Sequence, residues 1–284
     1  MDAVVQAVVQ AVAWLNAAAG AVGRWALAPI GLVPGWLSAT IVAAVTGLGL
    51  LAVFKYTSNQ RAIRRVRDDI KAHLLALKLF KESTSVTLRA QGRILLGAWR
   101  LLLLSVVPML VMIVPVCLVL GQLGLWYQSR PLGVGEEAVM TLKLNGEAGS
   151  PWPEVRLEPT TAMEVTVGPV RVLSQREVCW NVRASERGYH RLAIQVGGRA
   201  VDKELAVGDG FMRVSIERPG WNWAQMLLHP GERPFGPDSP VRFVAIDYPE
   251  RSSWTSGTDW WVIYWLVVSL VAAWCFRPWL KVNV

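Results

Sequence analysis

Hydrophobic positions concentrate in three uncharged tracts: 30 residues from Trp25 to Phe54, 29 from Leu101 to Ser129, and 17 from Trp260 to Phe276. A helix rises about 1.5 Å per residue, so roughly 20 apolar residues cross a hydrocarbon core of about 30 Å. The first two tracts are long enough, and the third suffices if its flanking tryptophans share the span. Transmembrane helices are therefore expected over 36–56, 101–127 and 260–277. Gly31, Pro34 and Gly35 break the chain ahead of the first, and Trp36 marks its start in the bilayer.

The stretches between the tracts have other periods. Residues 3–23 are Ala-rich and uncharged, but Gln6, Gln10 and Asn16 interrupt the apolar positions. This stretch is read as an interfacial helix within an amphipathic segment, 1–35; a first transmembrane span is the rival reading, which fits the basic-loop orientation only if two hydrophobic stretches form a hairpin. Between the first two tracts, Ile63, Val66, Ile70, Leu74, Leu77 and Phe80 recur every three or four residues, interleaved with basic side chains. That is the pattern of a basic amphipathic helix. Ser83, Thr84, Ser85 and Thr87 interrupt it, and Val86, Leu88, Ile94 and Leu95 suggest a returning arm, making 57–100 a helical hairpin. Pro108 and Pro115, seven apart and so nearly on one face, should kink the second span.

Residues 128–259 change period again. Strands are expected at Ala138–Leu144, Glu164–Val167, Glu177–Val182, His190–Val196, Ala200–Val207, Met212–Ile216 and Val241–Ile246, punctuated by Gly and Pro. Gly197-Gly198 reads as a hairpin turn and Trp180 as an inward anchor. The expected fold is an α+β membrane protein: three transmembrane helices, a basic cytoplasmic helical hairpin, an extracytoplasmic immunoglobulin-like β-sandwich and a tail at 278–284.

Composition and charge fix the orientation. Hydrophobic residues make up 53%, only 18% are charged and 15 are Trp, which argues against an ordinary water-soluble enzyme. Of the net charge of +8, all lies between Lys55 and Arg100, with 11 basic and 3 acidic residues. Basic loops stay on the cytoplasmic side, so the N-terminus and 128–259 should be outside and the C-terminus inside, in what we expect to be a bacterial inner (plasma) membrane. Arg277 and Lys281 after the last span agree, and 128–259 carries 15 basic against 17 acidic residues. The N-terminus lacks the positive region of a cleavable signal, so the mature chain is expected to keep it. Cys117 and Cys275 fall in spans and Cys179 stands alone outside, so no disulfide is expected within the external domain.

No catalytic constellation is visible. His73, His190 and His229 fall in three contexts, and there is no phosphate loop, nucleophile elbow or paired intramembrane carboxylate. The chain is expected not to be an enzyme and to take no metal or cofactor. Arg61, Arg64, Arg65, Arg67, Lys71, Lys78 and Lys81 form a cationic surface for anionic lipid, or for a ribosome or nascent chain. Nothing marks specific nucleic-acid reading, and on charge alone lipid is favoured. Trp221, Trp223, Trp254, Trp260 and Trp261 read as an interfacial belt, with a docking surface as the alternative.

Taken together, the external amphipathic segment, the span ending in Phe54-Lys55-Tyr56-Thr57-Ser58, the basic hairpin, and the span containing Pro108-Met-Leu-Val-Met-Ile-Val-Pro115 resemble the YidC/Oxa-type insertase superfamily over residues 1–127. The resemblance implies a bundle that helps hydrophobic segments enter the bilayer. Bacterial members usually carry an Arg in the first conserved span that makes a wet groove, whereas Ser38 to Phe54 contains none. Thr40, Thr46, Gln122 and the kink at Pro108 and Pro115 are then the groups most able to line a groove. The competing class is a non-catalytic scaffold or accessory subunit presenting its β-sandwich to a protein partner.

Overall fold

The chain folds, in the computed structural model, as helices α1 (Asp2–Ala26), α2 (Gly35–Thr57), α3 (Gln60–Leu79) and α4 (Thr84–Tyr127), an eight-stranded β region interrupted by a short α5 (Trp223–Leu228), and a closing helix α6 (Trp260–Leu280). The structure describes residues 2–79, 84–147, 149–257 and 260–280. Lys81 and Lys281 lie outside the described residues. Two compact units emerge: residues 1–39 with 117–264, and 40–116 with 265–284.

Among the described residues four helices, one more than expected from the sequence, are long and apolar enough to cross a membrane. The additional one is Val5–Gly23 in α1, whose run of Ala and Val outweighs Gln6, Gln10 and Asn16. One side of α1 meets α5, where Asn16 Nδ2 donates to the Met226 carbonyl. The other side leaves Trp14, Leu15, Val22 and Trp25 exposed. α4 joins the expected returning arm and the second span into one 44-residue helix that contains both Pro108 and Pro115.

The β region has two antiparallel sheets. Strands β1 (Glu137–Leu144), β3 (Met163–Val172), β4 (Glu177–Ala184), β7 (Glu217–Pro219) and β8 (Val241–Ile246) form a five-stranded sheet in the order β3-β4-β1-β8-β7. Strands β2 (Val155–Leu157), β5 (Gly188–Val196) and β6 (Arg199–Val207) form the second, in the order β2-β5-β6. Alternate residues point inward, as a half-buried strand requires. Met140 and Leu142 of β1, Val178, Trp180 and Val182 of β4, Leu192 and Ile194 of β5, Leu205 and Val207 of β6 and Val244 and Ile246 of β8 make one core. Gly197 and Gly198 (φ +54° and +79°) form the two-residue turn between β5 and β6.

One expected strand is absent. Residues 212–216 are irregular, because the Val214 amide bonds the Leu125 carbonyl at 2.7 Å instead of a neighbouring strand. β2, β7 and α5 were not foreseen. Two are three-residue strands, too short for a period to register, and α5 is set by its cap: Asn222 Oδ1 accepts the amides of Ala224 and Gln225.

Candidate functional site

In the unit formed by 40–116 and 265–284, α2 and α6 meet at small residues. Ala43 is fully buried, and a methyl on Gly47 would lie 2.4 Å from the Ser269 carbonyl oxygen. Such contacts let backbones approach closely where lipid supplies no hydrophobic drive. Thr46 belongs to this contact: its Oγ1 accepts from Trp265 Nε1 at 2.8 Å and donates to the Ala43 carbonyl at 3.0 Å. The hydroxyl is thereby engaged in packing.

Beside the contact lies a cavity of about 420 Å³ bounded by α2, α4 and α6 and lined by Leu50, Phe54, Met112, Val116, Leu270 and Trp274 among others, with Arg277 at its border. Its walls are nearly all apolar, since Ser269 Oγ donates to its own helix at the Leu266 carbonyl. Thr40, Thr46, Pro108 and Pro115 are in the same unit but are not among its lining residues. Pro108 is buried; Thr40 and Pro115 are half-buried.

Gln122 belongs to the other unit. It is buried, its Nε2 has no hydrogen-bond partner among the described residues, and a methyl on Gly23 of α1 would lie 2.7 Å from its Oε1. Sequence spacing alone did not separate it from the other proposed groove residues.

The basic helix is anchored by its apolar stripe. Asn59 Oδ1 accepts the Ala62 amide at the start of α3. Ile63 is buried, and a methyl on Gly97 of α4 would lie 2.7 Å from Ile70 Cγ1 and 3.9 Å from Val66 Cγ1. Arg61, Arg64, Arg65, Lys71 and Lys78 are exposed and Arg67 is half-buried. Of these, among the described residues, only Lys71 has a carboxylate within ion-pair distance, Asp68 at 3.9 Å, which in solvent contributes little. The row therefore keeps almost all its charge for whatever approaches.

The β domain holds a polar cluster that the sequence reading missed. Strand alternation puts Lys203 of β6 at a core position between Val201 and Leu205, and it is fully buried. Its Nζ donates to Glu232 Oε1 at 2.6 Å and to the Ser215 carbonyl at 2.7 Å. Glu232 Oε1 also accepts from Ser215 Oγ, and its Oε2 from the Glu204 amide at 2.9 Å. Burial pulls the Lys203 amine below its ordinary range, opposed by the Glu232 carboxylate. Nearby, burial raises Glu217, while burial and the Lys203 charge lower His229. The 3.9 Å approach of His229 to Glu217 is then not an ion pair at neutral pH. A lysine in a β-alternating run of apolar residues was the available signal.

β6 is an edge strand, and several of its outward backbone groups between Asp202 and Ala206 are engaged. The Asp202 carbonyl accepts from Arg218, the Glu204 amide donates to Glu232, and the Ala206 amide donates to Tyr248 Oη at 2.9 Å. The Ala206 carbonyl accepts from the Leu132 amide.

No cluster of three potential metal ligands occurs among the described residues. No family model and no curated protein matches the chain. Part of it is similar to the crystal structure of domains 4 and 5 of the S-layer protein SbsC, at 17% identity and a TM-score of 0.23, over 29% of this chain and 48% of that one. The chain thus spans about half the length of that structure.

Proposed function

We propose that the chain is an integral protein of a bacterial inner membrane that assists insertion or assembly of other membrane proteins by a non-covalent mechanism, as a divergent three-span relative of the YidC/Oxa-type insertases. In this reading α2, α4 and α6 cross the bilayer and α1 lies flat. The β domain, an immunoglobulin-like sandwich, is outside, and α3 is in the cytoplasm. The observation that carries it is the row of exposed cations on α3, a helix whose apolar stripe is held against Gly97 of α4. Such a row attracts phosphate-rich or acidic surfaces, as on a ribosome or the flank of a nascent membrane segment. The flat placement of α1 is supported by Asn16, whose amide is matched to the Met226 carbonyl rather than left in lipid.

Photoreactive residues at Leu74 on α3 and at Met112 in the second span test this. Both should capture newly made membrane proteins in translating vesicles, and clean absence of such adducts at both positions would sink the proposal. A second reading, a non-catalytic scaffold that presents the β domain to a protein partner, is favoured by the mostly apolar lining of the helix cavity, which offers a polar flank few hydrogen-bonding groups. Purification in mild detergent separates the two: one stoichiometric partner supports the scaffold, and transient association with ribosomes and varied clients supports insertion.

A further inference from the structure

At the start of α2 the structure forms a cavity of about 480 Å³ within the unit that contains the β domain, lined by Trp36, Arg130, Asp209, Phe211, Arg251 and Trp254, together with serines 252, 253 and 256. Its charges are unequally matched. Arg130 grips both oxygens of Glu136 at 2.7 Å, and Asp209 is paired with Arg187. Arg251 has no acidic partner among the described residues. Its Nε donates to the Trp126 carbonyl at 2.8 Å, its Nη2 to the Met212 carbonyl at 3.0 Å, and its cation sits 4.2 Å from the Phe211 ring centroid. Its Nη1 makes no hydrogen bond among the described residues.

A half-buried cation with neutral partners only is unfavourable unless an anion reaches it. Desolvation already draws this guanidinium down to about 10, and the like charge of Arg130 acts in the same direction. The rim shows where the anion comes from. Trp36, at the first turn of the apolar 23-residue α2, and Trp254, in the loop ahead of α6, are 53% and 71% exposed, and exposed indoles beside apolar helix ends belong at the boundary between hydrocarbon and headgroups. A water-facing site for a soluble anion would have no use for such a rim.

We propose that this cavity binds the phosphate of an anionic phospholipid headgroup at the interface where α2 meets the membrane, with Arg251 Nη1 as the charged donor and the hydroxyls of Ser252 and Ser256 beside it. Trp36 and Trp254 flank the glycerol and upper acyl region. The site goes beyond insertion: it requires the helices to be in a bilayer, but not that the protein handle clients, so failure of the crosslinking experiment leaves it standing.

The test is native mass spectrometry of the full-length protein, delipidated in detergent and titrated with phosphatidylglycerol or with diacylglycerol, which has the same acyl region but no phosphate. One phosphatidylglycerol should be retained about tenfold more tightly than diacylglycerol, the size of one charge-assisted contact. Ser252→Glu puts a like charge beside the phosphate without touching the hydrogen bonds of Arg251, and should erase the preference while far-ultraviolet circular dichroism stays unchanged. Arg251→Lys should keep part of it. Equal retention of the two lipids by the unmodified protein, or an unaltered preference in Ser252→Glu, overturns the site. Displacement of the lipid by millimolar inorganic phosphate overturns the assignment to lipid in favour of a free anion.

Discussion

Lys203 Nζ and Glu232 Oε1 lie 2.6 Å apart, and the lysine, on the inward face of β6, is fully buried among Leu205, Leu192 and their neighbours. The pair joins a strand to the loop after α5, and four further hydrogen bonds, from Lys203 to the Ser215 and Glu204 carbonyls and to Glu232 from Ser215 Oγ and the Glu204 amide, fill its remaining valences. Removing one partner strands the other charge where water does not reach.

Lys203→Met should therefore destabilise the protein by about 3–5 kcal/mol, whereas Lys203→Met combined with Glu232→Gln should recover a large part of that loss. Urea unfolding of the full chain in detergent, followed by tryptophan fluorescence, reads both. A double variant no more stable than the single would mean that packing, not the stranded carboxylate, dominates.

Gly47 and Gly49 should respond oppositely to alanine. A methyl at Gly47 meets the Ser269 backbone at 2.4 Å and must push α6 away, for roughly 1–3 kcal/mol, while nothing stands within 4 Å of one at Gly49. Gly49→Ala should be neutral or stabilising by roughly 0.5–1 kcal/mol, because glycine is a poor helix former. Thermal melting in detergent gives the comparison, and equal effects at the two positions would contradict the close α2–α6 contact.

Gln122 should be replaceable by leucine. Its buried Nε2 lacks a partner among the described residues, so Gln122→Leu removes an unsatisfied donor and should stabilise by about 1 kcal/mol. If instead the variant loses client crosslinking without loss of stability, Gln122 serves a hydrated path.

His229 sets a pH dependence. Burial and Lys203 hold its folded value below the ordinary 6.5, so its contribution to stability is full above 6.5 and is lost as pH falls through the lower folded value. Glu217, raised by burial, acts oppositely, losing stability as pH rises from 4.5 toward its folded value. Denaturation midpoints measured downward from pH 7.5 should fall below about 6.5, and His229→Gln should flatten that limb. A limb unchanged in His229→Gln would place the titrating group elsewhere.

The elements with strong periods were legible. The stripe Ile63-Val66-Ile70 names the face of α3 that packs, and the alternation in β1, β4, β5 and β6 names the core, with the turn at Gly197-Gly198 placed correctly. Features set by partners distant in sequence were not. Val214 bonds Leu125 across 89 positions of chain, Arg251 reaches Trp126, and Glu232 reaches Lys203, pairings that no local pattern encodes. Of the expected groove residues, Thr46 reads as polar in a span, yet only the position of Trp265 shows that its hydroxyl is already engaged.

The capped margin of β6 limits how the β domain can associate. With Arg218, Glu232, Tyr248 and Leu132 occupying outward groups of Asp202, Glu204 and Ala206, a visiting peptide finds the ladder interrupted along that stretch. Recognition of another chain on that stretch has to rely chiefly on side chains and loops, and stacking of copies strand upon strand is disfavoured there from the outset.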